Sequence, residues 1–221
     1  MNRPTENLSA SRYEFAFDVL QSLASSLPSR TVLDIGAGDG RMKKIESLGL
    51  AWHGFDLNPS SPDISRWDLT DACPEKEPPA GAALLLDVLE HCTNPGIALK
   101  NIAATLQIDG RLILTMPNPR WSRSRVDALL SGYPTCFTQG DLDANHHVFT
   151  PWPHILQKML GDAGFEIDNY VTLDGKTRVF DRPVSLSYPL RCLFSLGLIA
   201  IERLDPSACG MSYGLIARRV S

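Results

Sequence analysis

Carboxylates and glycines crowd into one short stretch of this chain. From Thr31 to Arg41 it reads Thr-Val-Leu-Asp-Ile-Gly-Ala-Gly-Asp-Gly-Arg, with Asp34 and Asp39 set among Gly36, Gly38 and Gly40. Glycines at alternate positions let the backbone turn tightly and let a ligand approach the main chain closely. Arg41 stands where a dinucleotide-binding loop needs its third glycine. A pyrophosphate would also meet two negative charges here, which disfavours it. A ligand carrying an amine and a sulfonium would be drawn to the same acids. Asp56 ends the next apolar run, Trp52-His53-Gly54-Phe55-Asp56, where it can accept hydrogen bonds from a ribose diol. Asp87, Glu90 and His91 form a second polar group, and His146 and His147 a third. Imidazoles titrate near neutrality, and with carboxylates they suit proton removal from a hydroxyl or binding of a divalent ion.

The flanking patterns supply elements to position these groups. Val32 to Ile35 reads as a strand, then a tight turn, then a helix over Met42 to Leu48. This is the first unit of an open α/β sheet, whose ligands bind beyond the carboxyl ends of the strands. Ile64 to Trp67 is a short third strand leading to Asp68, with Asp71 close by, and residues 72 to 81 read as loop. Ala82 to Leu86 is a continuous apolar run, as in a buried parallel strand, and delivers Asp87 to the ligand edge. Asn94 and Pro95 start a helix over Gly96 to Leu106, and Asp109-Gly110 turns the chain into a strand over Arg111 to Met116.

An N-terminal helix occupies the 10–28 region, with Phe15, Val19, Leu20, Leu23 and Leu27 at helical spacing. Residues 117–149 read as an irregular insertion on the ligand side of the sheet. Arg120, Trp121, Arg123 and Arg125 in it form either a solvated helix face or a site for an anionic acceptor. Thr150-Pro151 caps a helix from Trp152 to Ala163, Phe165 to Val171 is a strand, and Met211 to Ala217 is the last strand. A second irregular insertion spans 172–210. Within it Val184 to Ile201 is apolar but broken by Pro189 and Arg191, so a buried or dimer-forming helix is expected rather than a transmembrane span.

Composition narrows the class. The chain has 221 residues, 43% hydrophobic and 21% charged, consistent with one domain over 1–221. A net charge of −4 gives no broad basic field, so nucleic acid is not the expected partner. Five scattered cysteines without a CxxC pair suggest reduced thiols and a cytoplasmic setting, and the N-terminus has no apolar signal-peptide core.

The run Val-Leu-Asp-Ile-Gly-Ala-Gly-Asp-Gly-Arg resembles motif I of the class I S-adenosylmethionine-dependent methyltransferases, and Asp56 falls at that family's ribose-binding acid. Asp-Val-Leu-Glu-His, followed by Asp-Gly-Arg-Leu-Ile-Leu-Thr-Met-Pro-Asn, is similar to the family's central strand and the strand after it. The resemblance implies a Rossmann-like, doubly wound α/β sheet of about seven strands, mostly parallel, with an antiparallel strand near the C-terminus. It implies S-adenosyl-L-methionine as cofactor, held by Asp34, Gly36, Ala37, Gly38, Asp56, Leu57, Asp68, Leu69, Asp87 and Val88. Asp68 would take the adenine amino group. Glu90, His91, His146 and His147 would be the catalytic candidates. One of the two later histidines takes a family position, and the spacing leaves open which.

The implied reaction is O-methylation of a small-molecule or glycan hydroxyl. No Asn-Pro-Pro-Tyr or Asp-Pro-Pro-Tyr phrase, the mark of amino-methylating relatives, follows the fourth strand. Two alternatives are an RNA 3′-end 2′-O-methyltransferase using a divalent metal and a protein that binds the cofactor without turnover. Ubiquinone-pathway and small-RNA methyltransferases have a similar Glu-x-x-Glu-His that holds a metal. Here Asp87 replaces the first Glu, one methylene shorter, and no metal is assigned.

Overall fold

The computed structural model describes residues 3–74, 79–177 and 188–221. Eight strands form one sheet: β1 (Glu6–Asn7), β2 (Thr31–Ile35), β3 (Ala51–Asp56), β4 (Ile64–Arg66), β5 (Ala80–Leu86), β6 (Leu106–Pro117), β7 (Phe165–Leu173) and β8 (Ser212–Arg219). Their spatial order is β1-β7-β8-β6-β5-β2-β3-β4. β8 runs antiparallel to both β6 and β7, and every other pairing is parallel. The sheet has one strand more than the expected seven. The addition is the two-residue β1, which lies along β7 and is too short to leave a periodic signal.

Neighbouring residues on the central strands point to opposite faces and build two cores. Leu33, Leu85 and Leu114 join one with Leu99, Ile102, Leu156 and Tyr213. Val32, Leu84 and Ile113 join the other with Phe15, Leu20, Met42 and Ile45. Helices α2 (Pro95–Thr105) and α5 (Pro153–Asp162) cover the first face, and α1 (Arg12–Leu23) covers the second. Both faces are therefore shielded, and all seven residues of β5 are buried. Helix α1 starts at a capping box, Ser11 with Glu14, and α2 at an Asn94 cap followed by Pro95. The Arg41–Leu48 segment winds as a 3₁₀ helix between left-handed glycines at 40 and 49.

The 117–149 stretch is more regular than its sequence suggested. It folds into α3 (Ser122–Ser131) and α4 (Gln139–Asn145). A left-handed Gly132 stops α3, and a Thr138/Asp141 capping box starts α4. The 172–210 stretch likewise contains the end of β7 and a helix, α6 (Tyr188–Leu204), against which α3 packs. The expected helix from Val184 begins outside the described residues. Arg120 and Arg125 both pair with Asp205, at 3.1 and 2.5 Å, and Arg123 approaches Asp127 at 3.6 Å. The Arg120 and Arg125 guanidiniums thus tie the insertion to the turn after α6, while the Arg123 pair lies within α3. No helix among the described residues is long and apolar enough to cross a membrane.

Candidate active site

The carboxyl ends of β2, β3, β4 and β5 surround a cavity of about 500 Å³. Its walls include Gly36, Asp56, Leu57, Asp68, Leu69, Asp87, Val88 and His91, with Trp67 and Ala98. Parallel strands that end in register bring these separated residues to one edge.

The glycine turn is held from β3. The amides of Gly36 and Ala37 donate to the Phe55 carbonyl at 2.8 and 2.9 Å. The Gly38 amide donates to Asp56 Oδ2 at 3.0 Å, while Asn58 donates to Oδ1 at 2.9 Å. Gly36 has φ +75°, and a Cβ there would lie 2.3 Å from Val88 Cγ2. Only glycine lets the turn pass this close to the end of β5. Asp68 accepts from the amide and hydroxyl of Thr70 at 2.9 and 2.8 Å, which lowers its pKa.

Asp34 sits apart from the cavity walls. It is buried and accepts from the Trp52 indole at 3.0 Å. Burial pushes its carboxyl up to about 6, against the opposing effect of the indole bond. The Trp52 ring lies beneath Gly40, 3.7 Å from where a Cβ would stand. Asp34 therefore braces the turn from below.

Asp87 closes the end of β5 with a left-handed φ of 55°. Its carboxylate pairs with Arg12 and accepts from Thr115 Oγ1 at 2.6 Å. Arg12 itself lies 5.0 Å from the Tyr13 ring and donates to its hydroxyl at 3.2 Å. Neither Arg12 nor Thr115 was singled out from sequence. Arg12 is 75 residues away from Asp87 in the chain, and nothing local marks it.

Beyond Asp87 the chain folds back on itself. Val148 and Phe149 donate to the Glu90 carbonyl at 2.9 and 3.0 Å, pinning the end of the insertion to the short turn Leu89–His91 that follows β5. This brings His147 to His91, with ring centres 4.9 Å apart. His91 Nδ1 lies 2.8 Å from the Asn145 carbonyl, and His147 Nδ1 lies 2.5 Å from the Cys136 carbonyl. A carbonyl only accepts, so each Nδ1 carries a proton. Burial, then the neighbouring His147, lower the His91 pKa. Glu90 is buried, and burial followed by the Asp87 charge pushes its carboxyl up to about 8. His146 takes the left-handed cap of α4, and its side chain is exposed. Of the two candidate histidines, His147 is the one the fold brings to Glu90 and His91.

The topology and this edge define a class: a Rossmann-like methyltransferase, with the β8 strand inserted antiparallel between β6 and β7. The family model for the methyltransferase domain matches residues 8–170, and the chain belongs to that family. It is an S-adenosylmethionine-dependent methyltransferase. No curated protein matches it in sequence. Among solved structures, a SAM-dependent methyltransferase from Archaeoglobus fulgidus aligns with a TM-score of 0.62 at 18% identity, covering 95% of each chain. The plantazolicin methyltransferase BamL, in complex with a triazolic desmethyl analogue and SAH, aligns at 0.57 and 11% identity over 95% of this chain and 85% of its own. An O-methyltransferase family protein from Burkholderia thailandensis aligns at 0.54 and 17% identity, over 93% of this chain and 55% of its own. At these identities the structural likeness carries the fold alone.

Proposed function

We propose that the enzyme methylates a hydroxyl of a small-molecule or glycan acceptor, and that the cavity at the strand ends is where the cofactor binds. The donor set fits a cationic nucleoside. Three carboxylates, Asp56, Asp68 and Asp87, face it beside the apolar Leu57, Leu69, Val88 and Trp67. Asp56 takes the ribose diol, Asp68 the adenine amino group, and the Asp87 end of β5 the methionyl ammonium. Gly36, Ala37 and Gly38 form the floor, with Asp34 bracing them through Trp52.

S-adenosylmethionine supplies a methyl group already activated on a sulfonium. The protein's task is to bring an oxygen into line with it and to ease the loss of that oxygen's proton. The observation that carries the hydroxyl reading is the protonation pattern of His91. Its Nδ1 is committed to Asn145, its lowered pKa keeps it neutral, and the ring lines the cavity. His147 and Glu90 stand behind it. Glutamine in place of His91 is expected to lower kcat on a hydroxyl acceptor by roughly 10²–10⁴-fold, with little change in SAH affinity. Unchanged turnover would remove His91 from the reaction.

A further inference from the structure

The ion pairs between the insertion and the turn after α6 leave one positive charge over. Arg120 and Arg125 reach the same carboxylate oxygen, Asp205 Oδ2, and no other acid among the described residues pairs with either. Asp205 Oδ1 is taken by the amide and hydroxyl of Ser207, at 3.0 and 2.6 Å. The two arginine side chains are 25% and 35% exposed, so a flank of the pair is open to solvent. Tyr170 adds a third group. It is 3% exposed, and its hydroxyl has no hydrogen-bond partner. A buried hydroxyl is rarely left so, because desolvation without a partner is costly. Burial pushes its pKa up to about 12, and the charges of Arg120 and Arg125 pull against that rise, so both guanidiniums stand near the polar end of the ring. Guanidiniums only donate, and a neutral phenol beside them has a proton to give. The group that completes such a set is an oxyanion.

The cluster shares a sheet edge with the cofactor cavity. Arg120 follows the carboxyl end of β6, Asp205 precedes β8, and Tyr170 lies near the carboxyl end of β7. The cavity occupies the strand ends on the other side, from β5 to β4. Tyr170 meets Tyr213 edge to face, with ring centres 5.7 Å apart. The Tyr213 hydroxyl donates at 2.7 Å to the Pro151 carbonyl, in the segment that carries His147. From this geometry we propose that Arg120, Arg125 and Tyr170 bind an oxyanion on the methyl acceptor, a carboxylate or a phosphate. The inference rests on the hydroxyl reading above and narrows it: the acceptor is an acidic sugar or a sugar phosphate, not a neutral one.

The test titrates full-length, SAH-loaded protein with glucuronate, glucose 1-phosphate and glucose by calorimetry. At least one of the two acids should bind, and glucose should bind roughly 10-fold more weakly or not at all. The tighter acid identifies the group as carboxylate or phosphate. Tyr170→Phe removes the hydroxyl and keeps both ion pairs. It should weaken acid binding roughly 10-fold, while stability in urea holds or rises because a buried unpartnered hydroxyl is gone. Asp205→Asn removes the competing carboxylate and should tighten acid binding, which a merely structural tie would not do. No binding of either acid, equal binding of glucose, or acid binding that neither variant changes overturns the site. Its failure is separable from that of the hydroxyl reading. Protein that methylates hydroxyls of neutral sugars as fast as those of acidic ones refutes the oxyanion site alone. Protein that binds the acids through Tyr170 but methylates only amines or thiols refutes the hydroxyl reading and leaves the site standing.

Discussion

Replacing Asp34 by asparagine should make the protein more stable at neutral pH and leave it nearly unchanged in acid. The carboxyl is buried beneath the glycine turn, with the Trp52 indole as its partner at 3.0 Å. Burial, with smaller contributions from Asp56 and Asp39, raises its pKa from 3.8 to about 6. The native state thus holds this proton about a hundredfold more tightly than the unfolded chain, roughly 3 kcal/mol. Between pH 4 and 6 the unfolded chain has released the proton while the native state keeps it. Stability therefore falls as pH rises through this window and levels off above it. Asparagine carries no charge at any pH and still offers the indole an acceptor oxygen. Its unpartnered amide costs about 1 kcal/mol. That cost is the same at every pH, so the net gain near neutrality is about 2 kcal/mol, while the difference between variant and native protein should grow by roughly 2–2.5 kcal/mol from pH 4 to 7.5. Urea denaturation of the cofactor-free protein across that range measures it directly. A difference that does not change with pH, or that shrinks as pH rises, would refute the assignment of a buried, reluctantly ionised Asp34.

Alanine at Asp56 removes the proposed ribose acceptor together with the partner of the Gly38 amide. Losing hydrogen bonds to a charged group costs about 1.5–3 kcal/mol, so calorimetry should find SAH bound roughly 10–100-fold more weakly; equal affinity would move the ribose elsewhere. Gly36→Ala must fit a side chain 2.3 Å from Val88 Cγ2 on a backbone with φ +75°. A loss of about 1–3 kcal/mol in urea is expected, along with impaired SAH binding, and a neutral variant would mean that the turn can relax.

Much of this arrangement is legible in the sequence because short, strongly patterned segments determine it. The Val32–Ile35 run, the glycine turn and the all-apolar β5 place Gly36, Asp56 and Asp87 at one edge through parallel pairing alone. What sequence does not reveal depends on contacts between distant segments. Arg12 reaches Asp87 only because α1 lies across the sheet, and His147 reaches His91 only because Val148 and Phe149 bond to Glu90. The choice between His146 and His147 was similarly hidden, since it turns on which residue takes the left-handed cap of α4. The regularity of 117–149 was partly visible. Thr138 and Asp141 have capping-box spacing and Gly132 is a helix stop, but both are obscured by the weak apolar periodicity around them. Asp34 reads as a ligand acid and folds as a brace, because alternation along β2 turns its side chain into the core beneath Trp52.

A crystal structure with S-adenosylhomocysteine bound tests the central claim most directly. The account predicts the ribose hydroxyls within hydrogen-bond distance of Asp56, the adenine between Leu57 and Leu69 with its amino group on Asp68, and the sulfur facing His91. Adenosyl density elsewhere on the protein, or a ribose remote from Asp56, would contradict it.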